Sequence, residues 1–348
     1  MDKNSVEYQR LTWDALSKKI NDLVNKVTAT NIKNTAQELL SENLYWGDGL
    51  FCRACMAYQM ASPASTDVFA ALVAAVNTKF PEVTELLLKR IVWKFKIAYK
   101  WNVKPVLITN VKFVAHLLNQ KVVDEIIALE MLDVLLKKPT DDSVQVAVYF
   151  VMVCGSALRK RSPKALRGVF KRLKEILHEG EVDKSVKFWI ELLFSIRKTK
   201  FQGYPAIRPE LDLVKNPEEI SYFHQVSLDK PMDPEFSRDT FKYDPNYLEK
   251  YEEFTDDEEG SDADVHSEVG ENELDDESGE ESMQIKDETE SNRVNLQRTN
   301  YSTVMSSLGV KEAGHKLVKI HHLEPGEVSD SESTTESDCE RQRKRRRK

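Results

Sequence analysis

Tyr8–Ile32, YQRLTWDALSKKINDLVNKVTATNI, is the stretch whose reading decides the fold. Trp13, Leu16, Ile20, Leu23, Val24 and Val27 recur at three- and four-residue spacing, so they form one apolar stripe on a helix. The spacing predicts one amphipathic helix, a short turn and the start of a second helix. Asn25 and Lys26 lie off that stripe, at the helix end, where they can face a partner.

Outward from this stretch, the chain reads as helix after helix from Leu11 to Lys200. The breaks carry recognisable chemistry. Phe80-Pro81 sets a proline at a first helical position, where its missing N–H costs nothing. Ser162-Pro163 does the same behind an N-cap serine. Pro139-Thr140-Asp141-Asp142 ends one helix and caps the next, and Glu179-Gly180-Glu181 separates another pair. Between the breaks lie amphipathic segments such as Val122–Leu136. Roughly ten helices with short connections, in pairs of about 40 residues, give an all-α, HEAT-like solenoid of helical hairpins. Val68–Val76 carries alanine at helix-packing positions and reads as a core helix.

The flanks differ. Residues 1–10 are polar and read as a disordered N-terminus. From 201 to 251, prolines at 205, 209, 217, 231, 234 and 245 break any long helix, yet Tyr222, Phe223, Phe236, Phe241, Tyr243 and Tyr247 remain. A polar linker rarely carries so many aromatics. The expectation is an extended segment, with one or two short helices, packed back on the solenoid. Residues 252–293 read as an acidic disordered linker: from Glu252 to Glu290, Lys286 is the sole base. Val294–Ile320 shows two helical patterns around Gly309. So short a piece cannot bury a sizeable core alone. Residues 325–348 are a Ser/acidic tail ending in Arg341, Arg343, Lys344, Arg345, Arg346, Arg347 and Lys348. That basic run reads as a nuclear import signal, with a nucleic-acid patch as the alternative.

Composition bounds the function classes. The chain has 348 residues, 41% hydrophobic and 31% charged, which suits roughly one to two domains plus unstructured sequence. No apolar run approaches the ~18 residues of a membrane span and no leader is legible at the N-terminus, so a soluble intracellular protein is expected. Cys52 and Cys55 form a lone CxxC in a helical pattern, and Cys154 and Cys339 stand alone. Without a second pair or histidines at ligand spacing they read as reduced structural thiols, not as a zinc site. None of the seven histidines sits in a metal-binding motif, and His116 falls on an apolar helix face as a core histidine. No P-loop, nucleophile elbow or dinucleotide turn is present. The reading is a non-enzyme with no catalytic residue, cofactor, metal or small-molecule substrate, and no membrane partner.

The wording of Tyr8–Ile32 closely resembles the first helix of the MIF4G domain of the spliceosomal Cwc-twenty-two (nucampholin) family. Asp67–Phe80 (DVFAALVAAVNTKF), Lys112–Asn119 (KFVAHLLN), Lys138–Val144 (KPTDDSV) and Ile176–Lys184 (ILHEGEVDK) look like the same family's wording. Val294–Ile320 resembles the opening of the family's second, MA-three domain, so 294–324 reads as a vestigial fragment and the chain as a truncated or divergent paralogue. The resemblance implies a pre-mRNA splicing factor without chemistry of its own. Its MIF4G domain would bind the eIF4A-type DEAD-box ATPase of the exon junction complex, hold its lobes apart, keep it from non-specific RNA binding, and escort it to the spliceosome. It also implies a nuclear address, in speckles or the spliceosome, and spliceosome components as partners. The contact it carries over is Asn25-Lys26. On their own these residues could simply satisfy the helix end, where lysine suits the dipole. Asp22 stands close to that contact where the resemblance has a glycine, and Asp48 stands where it has a basic residue. The family's insect duplicates that act as male determiners through splicing suggest a second role, as a regulator of sex-specific splicing.

Two basic runs offer a candidate face for RNA or an acidic partner. One contains Lys89, Arg90, Lys94, Lys96, Lys100 and Lys104, with Tyr99 and Trp101 interleaved. The other contains Arg159, Lys160, Arg161, Lys164, Arg167, Lys171, Arg172 and Lys174. The alternative is a solvated face between helices. This face supports an RNA-binding scaffold that does not need the ATPase.

Overall fold

The computed structural model describes residues 3–214 and 223–248. They belong to the first of two compact units, Met1–Ser302. The acidic run, the MA-three-like segment, the basic terminus and Cys339 lie outside the described residues.

Ten α-helices occupy the described residues: α1 Val6–Lys26, α2 Ile32–Leu40, α3 Asp48–Ala61, α4 Thr66–Lys79, α5 Pro81–Lys100, α6 Lys104–Asn119, α7 Glu125–Lys137, α8 Asp141–Arg161, α9 Pro163–Glu179 and α10 Lys184–Lys198. They stack as a double layer. The even-numbered helices pack in succession from α2 to α10, while α1, α3 and α5, then α7 and α9, form the facing layer. Between α5 and α7, the Tyr99 hydroxyl donates to the Val134 carbonyl (3.0 Å). This is the all-α, HEAT-like solenoid of the sequence reading.

Local chemistry sets most boundaries. Pro81 and Pro163 open α5 and α9. Thr140 and Ser143 form a reciprocal capping box at the start of α8. Gly180 adopts the left-handed conformation (φ 75°) that ends α9. Four expectations need correction. α1 starts at Val6, because the Ser5 hydroxyl caps Tyr8 N–H (3.2 Å) and Gln9 is buried, so the polar N-terminal stretch is helical. α7 starts at Glu125 behind an Asp124 cap; Val122 and Val123 precede it in a buried loop. Ser162 does not cap α9 with its side chain, because its hydroxyl donates to Glu125 Oε1 (2.8 Å). α8 is long and apolar enough by composition to cross a membrane, yet most of it is buried, packed against α6, α7, α9 and α10.

After α10 the chain doubles back along the solenoid. Phe201 is buried against Gly155 of α8, where an added Cβ would overlap its ring. The Leu211 carbonyl accepts (3.1 Å) from Gln120, which caps the end of α6, and Arg208 pairs with Asp67 of α4 (2.8 Å). This first part crosses the even layer. The second part crosses the odd layer in reverse order. His224 bridges to Val123 ahead of α7, and Ser227 and Leu228 donate to the Glu130 carboxylate of α7. Pro234 and Glu235 reach Arg90 of α5, Arg238 reaches Asp48 of α3, and Asp244 reaches Gln9 of α1. Residues 223–248 therefore form a strap with short 3₁₀ content at Phe236–Asp239.

Candidate protein-interaction site

The end of α1 is secured by a residue outside the helix. Asn31 Nδ2 donates to the Lys26 carbonyl (2.9 Å), and Asn31 Oδ1 accepts from Thr28 N–H (2.7 Å). Asn31 thus takes the Lys26 carbonyl, one of the four left open at the helix end, without using the side chains of Asn25 or Lys26. Both residues are exposed, and the described residues give neither side chain a bonding partner. Asp22 is exposed one turn earlier. Its carboxylate, after burial, raises the Tyr58 hydroxyl pKa, which places the middle of α1 beside α3. The site is therefore an amide, an ammonium and a carboxylate on one helix face, with a half-buried phenol next to them. Such a set can bond to a protein partner's carbonyls, carboxylates and amides. Tyr58 was missed in the sequence, since nothing local marks it as a neighbour of Asp22.

Asp48 does not belong to this site. It is buried, and it pairs with Arg238 of the strap. Its negative charge meets a cation of the same chain, so its departure from the family pattern serves the strap.

The first basic run does not form an open face. Arg90 is 1% exposed and Lys94 is 9% exposed, so neither can reach RNA. Arg90 donates to the carbonyls of Pro234 (2.8 Å), Glu235 (3.1 Å) and Gly49 (3.3 Å). Its Nη2 lies 2.7 Å from Asp239 Oδ1 as a buried ion pair. Burial outweighs the guanidinium and pushes the Asp239 carboxyl pKa up. Lys89 pairs with Glu85 (3.1 Å) and Glu235 (3.7 Å), and Lys96 donates to the Lys230 carbonyl (3.3 Å). Lys104 pairs with Asp142 (2.6 Å). Only Lys100 and Trp101, which is 67% exposed, keep the expected openness.

The second run splits. Arg172 is tied to the Leu136 carbonyl (3.2 Å) and to Glu175 and Glu179, and Arg161 lies over the Phe223 ring. Arg159, Lys160, Lys164, Arg167, Lys171 and Lys174 are exposed.

Among the described residues, the thiols and His116 are inward-facing groups. Cys52, Cys55 and Cys154 are buried and unpaired, and burial pushes their pKa values up, so they stay as thiols. Burial pushes the His116 pKa down to about 4, as suits a neutral core histidine. No group of three metal-ligating side chains occurs among the described residues.

Comparison with known proteins agrees with this architecture. The MIF4G domain family matches residues 17–200. The chain is 43% identical over 339 residues to the pre-mRNA-splicing factor CWC22 homologues of Mus musculus and Homo sapiens, covering 93% of this chain and 37% of each relative. It is 40% identical over 346 residues to the pre-mRNA-splicing factor cwf22 of Schizosaccharomyces pombe, covering 94% of this chain and 38% of that protein. The chain spans less than two fifths of the length of these relatives.

Proposed function

From the premise that the chain belongs to the MIF4G family, in the group of the CWC22 splicing factors, we propose that it is a non-catalytic pre-mRNA splicing scaffold that binds an eIF4A-type DEAD-box ATPase through the end of α1. The supporting observation is the state of Asn25 and Lys26. Asn31 takes the Lys26 carbonyl, and the exposed amide and ammonium make no bond to the described residues, so both are available to a partner. Lys26 meets carboxylates on the ATPase, and Asn25 meets its backbone. A solenoid gripping the enzyme there would hold its two lobes apart, keep it from non-specific RNA and carry it to the spliceosome for exon junction complex assembly. The basic run at Arg341–Lys348 supports a nuclear location.

Calorimetric titration of the full chain with the purified exon-junction ATPase tests this. Asn25→Asp/Lys26→Glu reverses the polarity of the contact without touching the core. It is expected to weaken binding by about 30-fold or more, the scale of an interface hot spot. Equal affinity of the double variant, or no binding by the unmutated chain, would sink the proposal. Asp22→Ala removes a charge at the rim and is expected to change affinity about 3-fold or less.

A further inference from the structure

A cleft of about 320 Å³ lies between α7 and α9. Leu129, Leu132 and Leu136 of α7 line one side and Ala165, Gly168 and Val169 of α9 the other, with Asp133, Lys137 and Arg172 also in the lining. Gly168 sits on the exposed face of α9, inside the helix, where glycine costs about 1 kcal/mol relative to alanine. No packing demands it, since an added Cβ would meet nothing within 4 Å. Its effect is to lower the lip of the cleft.

Beside that lip runs a stripe of cations. Lys164, Arg167, Lys171 and Lys174 recur at three- and four-residue spacing, so they share the solvent face of α9. Lys171 approaches Glu175 (3.9 Å); the described residues give Lys164, Arg167 and Lys174 no ion-pair partner. The exposed Arg159 and Lys160 extend the positive surface from the end of α8. A largely aliphatic pocket, with Asp133 the one carboxylate in its lining and the cations Lys137, Lys164 and Arg167 in or beside it, fits a peptide with one apolar anchor between carboxylates. It fits a nucleobase less well, because the floor is leucine rather than aromatic.

The chain carries such a peptide. Glu271–Glu277, ENELDDE, holds a single leucine, Leu274, among carboxylates on both sides. Leu274 lies 26 residues beyond Leu248. An extended chain of that length reaches roughly 85 Å. The odd layer from α1 to α9 spans only about 40 Å at ordinary helix spacing, so the tether is long enough. Tethering also supplies an effective concentration on the order of millimolar, enough for a contact made of individually weak ion pairs.

We propose that the α7–α9 cleft receives the chain's own Glu271–Glu277, with Leu274 in the cleft and the flanking carboxylates on Lys164, Arg167 and Lys171. The solenoid then carries a built-in acidic competitor for whatever else its basic end meets.

Carbodiimide cross-linking of the full chain, which joins lysine amines to nearby carboxylates, tests the contact by mass spectrometry. The expected result is cross-links from Lys164 and Lys171 to 271–277 at least about 5-fold more abundant than those from exposed Lys33 on α2. They should vanish when salt rises from about 0.05 M to about 0.5 M. Leu274→Ser should reduce them at least about 5-fold. Leu274 is in none of the ten helices, so this variant leaves the solenoid intact. The charge reversal Lys164→Glu/Arg167→Glu tests the other side, with Lys171 and Lys174 still present to report. Cross-links spread evenly over all exposed lysines, or unchanged in Leu274→Ser, would overturn the proposal. So would protection of the stripe by an oligouridylate with no cross-link to 271–277, which would make RNA the occupant.

Discussion

Lys89–Lys104 and Arg159–Lys174 look alike as sequence, each a basic run on amphipathic helices, yet the fold treats them in opposite ways. The first lies under the strap. Apart from the exposed Lys100, its cations are buried, paired with carboxylates or bonded to strap carbonyls, and Arg90 alone engages Pro234, Glu235, Asp239 and Gly49. Among the described residues no strap crosses α9, and Lys164, Arg167 and Lys174 are exposed. A charge run is therefore not a surface until its distant neighbours are known. The partner that turns Arg90 from a surface charge into an anchor is more than 140 residues away in sequence.

The contrast can be broken most sharply at Arg90. Arg90→Ala leaves buried carbonyls and Asp239 without their cation, and should cost about 3–5 kcal/mol. Chemical denaturation of the full chain reads this as a lower midpoint. The same truncation at Arg167 is expected to leave the midpoint where it is. Equal effects at the two positions would remove the distinction.

Lys94 gives a pH test of the same burial. Burial lowers its pKa from 10.5 to about 8. Between about pH 8 and pH 10.5 the unfolded chain holds a proton there that the folded chain has released, so stability rises with pH through this window. Below about pH 8 the full penalty of a buried ammonium remains. The shift corresponds to a contribution on the order of 3 kcal/mol. Lys94→Met should be more stable at pH 7 and should flatten this part of the stability–pH profile. Lys112, whose pKa is also lowered by burial, titrates in the same direction, so the native-minus-variant difference is the quantity to measure. A difference that does not change with pH would contradict the burial of Lys94.

Glycines sharpen the comparison with smaller effects. Gly49 lies under the strap, and a Cβ there would overlap the Arg238 carbonyl. Gly49→Ala should destabilise by about 1–3 kcal/mol, the usual cost of overpacking. Gly168→Ala, in the open stripe, should instead stabilise by about 0.5–1 kcal/mol. Thermal melts of the two variants should move in opposite directions.

The stripe of α1, the capping box at Thr140, the Gly180 stop and the prolines opening α5 and α9 were legible because each depends on residues within a turn of one another. The aromatics and prolines after 201 announced an extended segment. They could not announce that it would take the N-terminal stretch with it. Gln9 Nε2 donates to the Asp244 carbonyl (2.8 Å) while Asp244 N–H donates to Gln9 Oε1 (3.0 Å), and this pairing ties the start of α1 to the strap and buries Gln9. Val122 and Val123 read as helix by apolar spacing, but Val122 and Asp124 bond to the His224 backbone instead. In the candidate site, Asn25, Lys26 and Asp22 could be named from one helix. Tyr58 could not be found, and Asp48 could not be assigned to the strap, because both depend on packing between helices.

The sequence alone therefore determined the helices, their order and the pairing of neighbours, because hydrogen bonds and apolar spacing within a helix are local. Only the tertiary structure decided which polar groups are free to act. That depends on whether a segment far along the chain returns to cover them, and burial converts an exposed charge into an internal anchor whatever its local sequence.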